Sequence, residues 1–242
     1  MTGDPETSAF TRAAAVVGGL SFGTSLIFFL FAYLALFEAT TDPWTLRSGL
    51  RPILVNVALF AAFGLHHSVL ARSGVKRALT RVLPERLERT SYVAVASVLF
   101  LVVCWSWQPV PGVLWNVGGL GFVLLTVVQL SSIALTLRAA AKIDVLDLAG
   151  VNQALQLVEE EAPALTTDGL YGFVRHPIYF AWLLLVWPTP EMSGTRLVFA
   201  ALSTAYLVVA IPLEERDLAR TFGAAYGDYR RRVRWRLVPF VY

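Results

Sequence analysis

The chain has 242 residues, of which 56% are hydrophobic and only 15% charged, with a formal charge of +3. That mixture is far from what a soluble globular domain needs to cover its surface with polar groups, and no glycine fingerprint follows a strand-like run, so a soluble Rossmann-type cofactor site is not supported. The single cysteine, Cys104, lies inside an apolar run, so the chain has neither a disulfide framework nor a cysteine-based metal site.

In chain order, Met1 to Thr11 carries acids ahead of any apolar run and lacks the basic start and small-residue cleavage site of a removable signal peptide. Apolar runs follow at 13–37, 52–71, 91–107, 113–137, 172–188 and 195–213. Each approaches the roughly 20 residues with which a helix crosses a hydrocarbon layer about 30 Å thick. Backbone groups inside a bilayer must be satisfied within the chain, so helices are the expected spanning elements. The expected fold is therefore all-α, a polytopic membrane helical bundle of about six transmembrane helices. One membrane domain covers 1–242, and 138–242 supplies a cytoplasm-facing hairpin and tail.

His66 and His67 close the second run, where ionisable residues are functional candidates when they face the bundle. Adjacent histidines diverge on a helix and no spaced ligand accompanies them, so no metal is expected. A proton acceptor and a packed structural histidine both remain open readings. The 72–89 connection holds Arg72, Lys76, Arg77, Arg81, Arg86 and Arg89, whereas Gln108 to Gly112 holds no charge. Arg138, Lys142, Arg175 and the tail arginines 230, 231, 232, 234 and 236 repeat the positive side. This alternation puts both termini in the cytoplasm. It points to membrane lipid as a partner, the arginine run being an anchor worth about 1 kcal/mol per charge, and not to nucleic acid. Asn116 and Gln129 read as interhelical hydrogen bonds, and Gly118, Gly119 and Gly121 as a close-packing patch. The 138–170 connection, with Asp144, Asp147, Asn152, Gln153 and Glu159–Glu161, reads as a short interfacial helix.

The fifth and sixth runs are joined by the short segment Pro188–Gly194, which makes them an antiparallel hairpin and sets Tyr171–Tyr179 beside Pro212–Leu218. Pro177 suits a first helical turn. There, unpaired amides, the helix dipole and Arg175 favour an anion. Glu214 and Glu215, two residues past Pro212, favour a cation or hydroxyls. The two ends together suit an amino-acid-like zwitterion, although an ordinary interfacial cap and local ion pairs read the same residues. Tyr226 and Tyr229, three apart on a short amphipathic helix, suit either adenine stacking or interfacial anchoring.

Two sets of residues carry a family resemblance: Gly169, Tyr171, Arg175, His176, Pro177 and Tyr179, then Glu214, Glu215, Leu218, Phe222, Gly223, Tyr226 and Tyr229. At this spacing the chain resembles the isoprenylcysteine carboxyl methyltransferase superfamily. The resemblance implies S-adenosylmethionine bound on the cytoplasmic side of the C-terminal hairpin, with contacts at Tyr171, Arg175, His176, Pro177, Tyr179, Glu214 and Glu215. Further similarity at His67-Ser68, Ala71-Arg72, Glu88-Arg89-Thr90, Tyr92, Ile143-Asp144, Asp147, Gly150 and Gln153 looks like the methanethiol S-methyltransferase branch. The chain departs from the pattern at Phe180-Ala181-Trp182 and in the ending Val233–Pro239. The implied reaction is methylation of a small thiol to a thioether, with His66 or His67 as base and Arg175 in the catalytic set. Carboxyl methylation of isoprenylcysteine, N-methylation of a phospholipid and a non-catalytic membrane role are the alternatives, so the acceptor is a small molecule or lipid-like.

Overall fold

The computed structural model describes residues 9–40, 42–70, 75, 80–81, 83–84, 87–143, 145–155 and 164–242. Arg72, Lys76, Arg77, Arg86, Asp144 and Glu159–Glu161 lie outside the described residues. The helices are α1 (Ala9–Phe31), α2 (Arg51–Leu70), α3 (Glu88–Ser106), α4 (Gly119–Ala140), α5 (Val145–Leu148), α6 (Val151–Leu155), α7 (Pro177–Val186), α8 (Gly194–Phe222) and α9 (Ala224–Arg232). Two short strands, β1 (Val113–Asn116) and β2 (Glu191–Ser193), pair antiparallel. Where a short interfacial helix was expected within 138–170, the described residues form the two short helices α5 and α6.

Among the described residues, five helical segments, Ala9–Leu36, Leu46–Val69, Glu88–Ser106, Gly119–Ala140 and Gly194–Phe222, are long and apolar enough to cross a membrane. Large apolar side chains on their outer faces, Leu20, Ile27, Leu65, Leu120 and Val209 among them, are at least 65% exposed. A lipid-facing surface explains this where a soluble one would not. The chain is an integral membrane protein.

The fifth apolar run differs from expectation, because α7 has only 10 residues, about 15 Å of helix. Its last turn bonds Trp187 N to Leu183 O, after which Pro188 and Pro190 have no amide hydrogen to continue. Even so, the chain returns most of the length of α8, since Tyr179 meets Glu214 near one end and β2 leads into Gly194 at the other. The remainder is spanned by extended chain at roughly 3.3 Å per residue. Its polar backbone is satisfied by pairing with β1, by Val117 N donating to Pro190 O (2.9 Å) and by Trp115 Nε1 donating to Thr189 O (2.8 Å).

The chain divides into two compact units. In the first (1–36, 57–107 and 144–162), α1 packs along α3 and α6. Gly18 permits this, because a Cβ there would sit 2.5 Å from Thr90 Cγ2. Thr90 Oγ1 donates to Gly150 O at 2.6 Å. Gly150 has φ +74°, and a Cβ on it would lie 2.7 Å from Thr90 N. The Phe29 and Phe100 rings meet at a tilt, centroids 5.4 Å apart, and Cys104 is buried in α3.

In the second unit (37–56, 108–143 and 163–242), α7 packs more extensively on α4 than on α8. Gln129 Nε2 donates to Leu185 O (2.8 Å), an interhelical bond as expected. Asn116 is not one: it lies on β1 and donates to Glu191 Oε2. Gly118 and Gly119 also differ, having no atom within 4 Å of a built Cβ. They start α4, with Gly118 as its N-cap. Ser193 caps α8 by accepting from Arg196 N (3.1 Å) and donates to Phe37 O (2.8 Å).

Thr90→Val removes the shorter of two donors to the Gly150 carbonyl and leaves Ala154 N at 3.3 Å, an expected cost of about 0.5–1.5 kcal/mol. Gly150→Ala adds a strained positive φ and a clash with Thr90 backbone, and is expected to cost more. Thermal unfolding in detergent, with Gly150→Ala melting below Thr90→Val and both below wild type, checks this.

Candidate active site at the hairpin end

The segment leading into α7 is positioned by backbone and charge together. Residues Gly169–Gly172 form a 3-10 turn, steadied by Lys142 Nζ on Asp168 Oδ2 at 2.6 Å. Arg175 N and His176 N then donate to Trp235 O and Arg236 O, both at 2.9 Å, pairing the start of α7 with the C-terminal tail. Pro177 takes the first position of α7, where its missing amide hydrogen costs nothing.

Arg175 and Glu215 meet across forty positions of sequence, with Nε donating to Oε1 at 2.6 Å. Both side chains are at most 5% exposed. Arg175 Nη1 donates to Val233 O (2.7 Å) and Arg234 O (2.8 Å), and Arg236 Nε donates to Glu215 Oε2 (3.1 Å). The Glu215 carboxylate is thus held between two guanidiniums, and Arg175 grips the protein's own carboxylate and carbonyls.

His176 is buried with its ring parallel to Tyr179, centroids 5.4 Å apart. Its Nδ1 is 3.8 Å from Glu214 Oε2 and its Nε2 is 3.5 Å from Glu215 Oε1. These separations suit Coulombic attraction, but Nε2 meets no hydrogen-bond geometry among the described residues. Tyr179 Oη donates to Glu214 Oε2 at 2.8 Å, and Glu214 is the accessible acid, its side chain 43% exposed.

Tyr226 and Tyr229 face inward, forming with Val233 a small core against Leu165, Leu218, Ala219 and Phe222. Tyr229 Oη donates to Tyr171 O at 2.8 Å, whereas the buried Tyr226 hydroxyl has no hydrogen-bond partner among the described residues. Burial, reinforced by the Glu215 carboxylate, pushes the Tyr226 phenol up to about 12. Burial and Glu214 do the same to Tyr171. Both remain protonated donors at neutral pH.

In the other unit, Tyr92 lies between the two histidines. Its hydroxyl is 2.8 Å from His67 Nδ1 and donates to His67 O at 3.1 Å. The His66 ring lies parallel to Tyr92, 6.0 Å between centroids. Both His66 ring nitrogens are buried without a hydrogen-bond partner among the described residues. Sequence alone did not separate the two histidines, and it missed Arg236 and the carbonyls of Val233 and Arg234 as partners of the Arg175–Glu215 pair. The adjacency of five tail arginines to a motif rich in acids was the one available signal.

Comparison with known proteins places the chain in a family. Residues 122–220 match the family described as isoprenylcysteine carboxyl methyltransferase. The chain is 40% identical to methanethiol S-methyltransferase 2 of Bradyrhizobium diazoefficiens, over 75% of this chain and 71% of that protein. It is 37% identical to the methanethiol S-methyltransferase of Crocosphaera subtropica, over 78% and 75%. Against that of Mycobacterium tuberculosis the figures are 38%, over 75% and 76%. No solved structure matches the chain.

Glu215→Gln removes the charge shared by two guanidiniums and leaves Arg175 buried without a full counter-charge, an expected stability loss of about 3–5 kcal/mol. The tail should also loosen, so trypsin is expected to cut after Arg234 and Arg236 faster than in wild type. Unchanged melting and unchanged cleavage would remove the clamp from the description.

Proposed function

Since the chain belongs to the isoprenylcysteine carboxyl methyltransferase family and is a membrane methyltransferase, we propose that it transfers the methyl group of S-adenosylmethionine to a small thiol, methanethiol, giving a thioether. The observation that carries this reading is the convergence of His176 and Tyr179 on Glu214 and Glu215 at the hairpin end, in a chain similar to methanethiol S-methyltransferases over most of its length.

The residues suit such a cofactor. Half-exposed Glu214 offers a carboxylate to an ammonium, and the unpartnered His176 Nε2 and Tyr226 hydroxyl await a polar ligand. Tyr171, Pro177, Tyr179 and Tyr229 frame the group, while Arg175 and Glu215 hold the frame in place. When bound, the cofactor supplies a methyl group on a positively charged sulfur. The protein's part is then to orient the acceptor, exclude water and receive the thiol proton. Orientation alone supplies several kcal/mol, and a dry site favours a step in which opposite charges neutralise.

His66 is the proposed proton acceptor, because both of its ring nitrogens lack a hydrogen-bond partner among the described residues, whereas His67 Nδ1 is engaged by Tyr92. Tyr92, itself tied to His67, then positions the His66 ring by stacking. A thiol with a pKa like that of cysteine, about 8.5, needs only a modest base near neutrality. The tail arginines beside the hairpin end support a cytoplasmic site, with both termini on the same side.

The decisive assay offers the purified protein labelled S-adenosylmethionine with methanethiol, a farnesylated cysteine analogue and phosphatidylethanolamine in parallel. Methylation of the thiol is expected, and turnover of a lipid-like acceptor without it overturns the substrate. His66→Ala is expected to lower kcat about 10²–10⁴-fold at neutral pH and to recover as pH rises toward the thiol pKa. Wild-type rates in that variant remove the base. Glu214→Ala should weaken S-adenosylhomocysteine binding by about 1.5–3 kcal/mol in calorimetry, the range for a hydrogen bond to a charged group.

A further inference from the structure

Beyond methyl transfer, the C-terminal tail builds a second binding surface. Gly223 (φ +52°) reverses the chain after α8, and α9 folds back so that Tyr226, Tyr229 and Val233 pack on Leu218, Ala219 and Phe222. Arg236 is thereby returned to Glu215. Glu214 and Glu215 are the first charged residues after the apolar run 195–213, so this level is where hydrocarbon gives way to headgroups. An open cleft of about 630 Å³ lies there, lined by Arg230, Arg231, Arg234, Arg236, Trp235 and Tyr242 among others.

The charges of this cleft are not balanced from within. Asp228 meets Arg231 and Glu215 meets Arg236, but Arg230 and Arg234 have no carboxylate partner among the described residues. The loop below is closed on itself, with Leu237 N donating to Tyr242 O (2.8 Å) and Tyr242 N to Val238 O (3.0 Å). Arg236 lies over the Tyr242 ring at 5.2 Å, and Trp235 contacts Phe240 at 5.4 Å. From this ordered loop Phe240 and Val241 stand out 86% and 77% exposed. Exposed apolar side chains beside a basic cleft, with Trp and Tyr between them, match the chemistry of the bilayer interface.

We propose that this cleft holds the phosphate of an anionic phospholipid headgroup, with Phe240 and Val241 inserted at the adjoining acyl boundary. Guanidinium forks fit phosphate oxygens in two places at once, and the cleft adjoins Glu215, where the apolar run of α8 ends. The cleft borders the proposed donor site, since Arg175 and Arg236 line it while also holding Glu215, but the proposal rests on the outward-facing arginines and does not depend on that reading.

The test uses the full-length protein in neutral detergent, with native mass spectrometry after incubation with equal amounts of phosphatidylglycerol and phosphatidylcholine. Wild type is expected to retain phosphatidylglycerol preferentially. Arg230→Gln/Arg234→Gln should lose it roughly thirtyfold, since each charge near the surface is worth about 1 kcal/mol, or about fivefold. Arg230→Lys/Arg234→Lys should keep most of the preference, and S-adenosylhomocysteine binding by the Gln variant should match wild type, which separates loss of the cleft from loss of the fold. Phe240→Ser/Val241→Ser should weaken lipid retention alone. Equal retention of the two lipids, or a preference untouched in the Gln variant, overturns the proposal. Displacement of phosphatidylglycerol by millimolar inorganic phosphate overturns the lipid assignment in favour of a soluble anion.

Discussion

One carboxylate organises the C-terminal unit. Glu215 stands at the end of a long apolar helix, is almost wholly buried, and is shared by Arg175 from the start of α7 and Arg236 from the tail. A buried charge is costly unless it is paired and hydrogen-bonded, so the three segments must arrive together or leave an uncompensated ion. Everything described at the hairpin end follows from this. The α7 start is held against the tail, His176 is lodged between two acids, and Glu214, one residue away on a helix whose neighbours point in different directions, is left toward solvent.

Much of this was legible in the sequence because it rests on long-range regularities. Apolar runs near 20 residues have one physical solution in a bilayer, and the short link between the last two runs forces residues 171–179 toward 212–218, where the contacts Arg175–Glu215 and Tyr179–Glu214 occur. What escaped was set by single-residue geometry. The arrest of α7 by Pro188, and the use of extended chain to complete its path, depend on a strand partner at Val113–Asn116 that no local pattern announces. Arg175 was expected to face an anion, and it does, but the anion is Glu215. Gly118 and Gly119 looked like a packing patch and instead begin a helix, a distinction that depends on backbone dihedrals.

The two histidines show the same limit from the other side. Adjacent positions on a helix differ by about 100° in direction, so one sequence symbol repeated twice gives two unlike environments. His67 is tied to Tyr92 by its ring and its carbonyl. His66 keeps both nitrogens buried and without a hydrogen-bond partner among the described residues. That difference, invisible in composition, motivates the separate roles proposed for them.

The interleaving of the two units bears on how the protein is made. The first unit draws on residues 1–36, 57–107 and 144–162, and the second on 37–56, 108–143 and 163–242. Domains of most chains mature in the order they leave the ribosome, but here Thr90 waits for Gly150, which is synthesised only after α4 has emerged for the other unit. Phe37 likewise waits for Ser193, and Arg175 for the tail. Insertion into the membrane can proceed helix by helix, and α1 can meet α3 early, but the first unit lacks α6 until residue 155 is made and the second lacks its clamp on Glu215 until Arg236 is made.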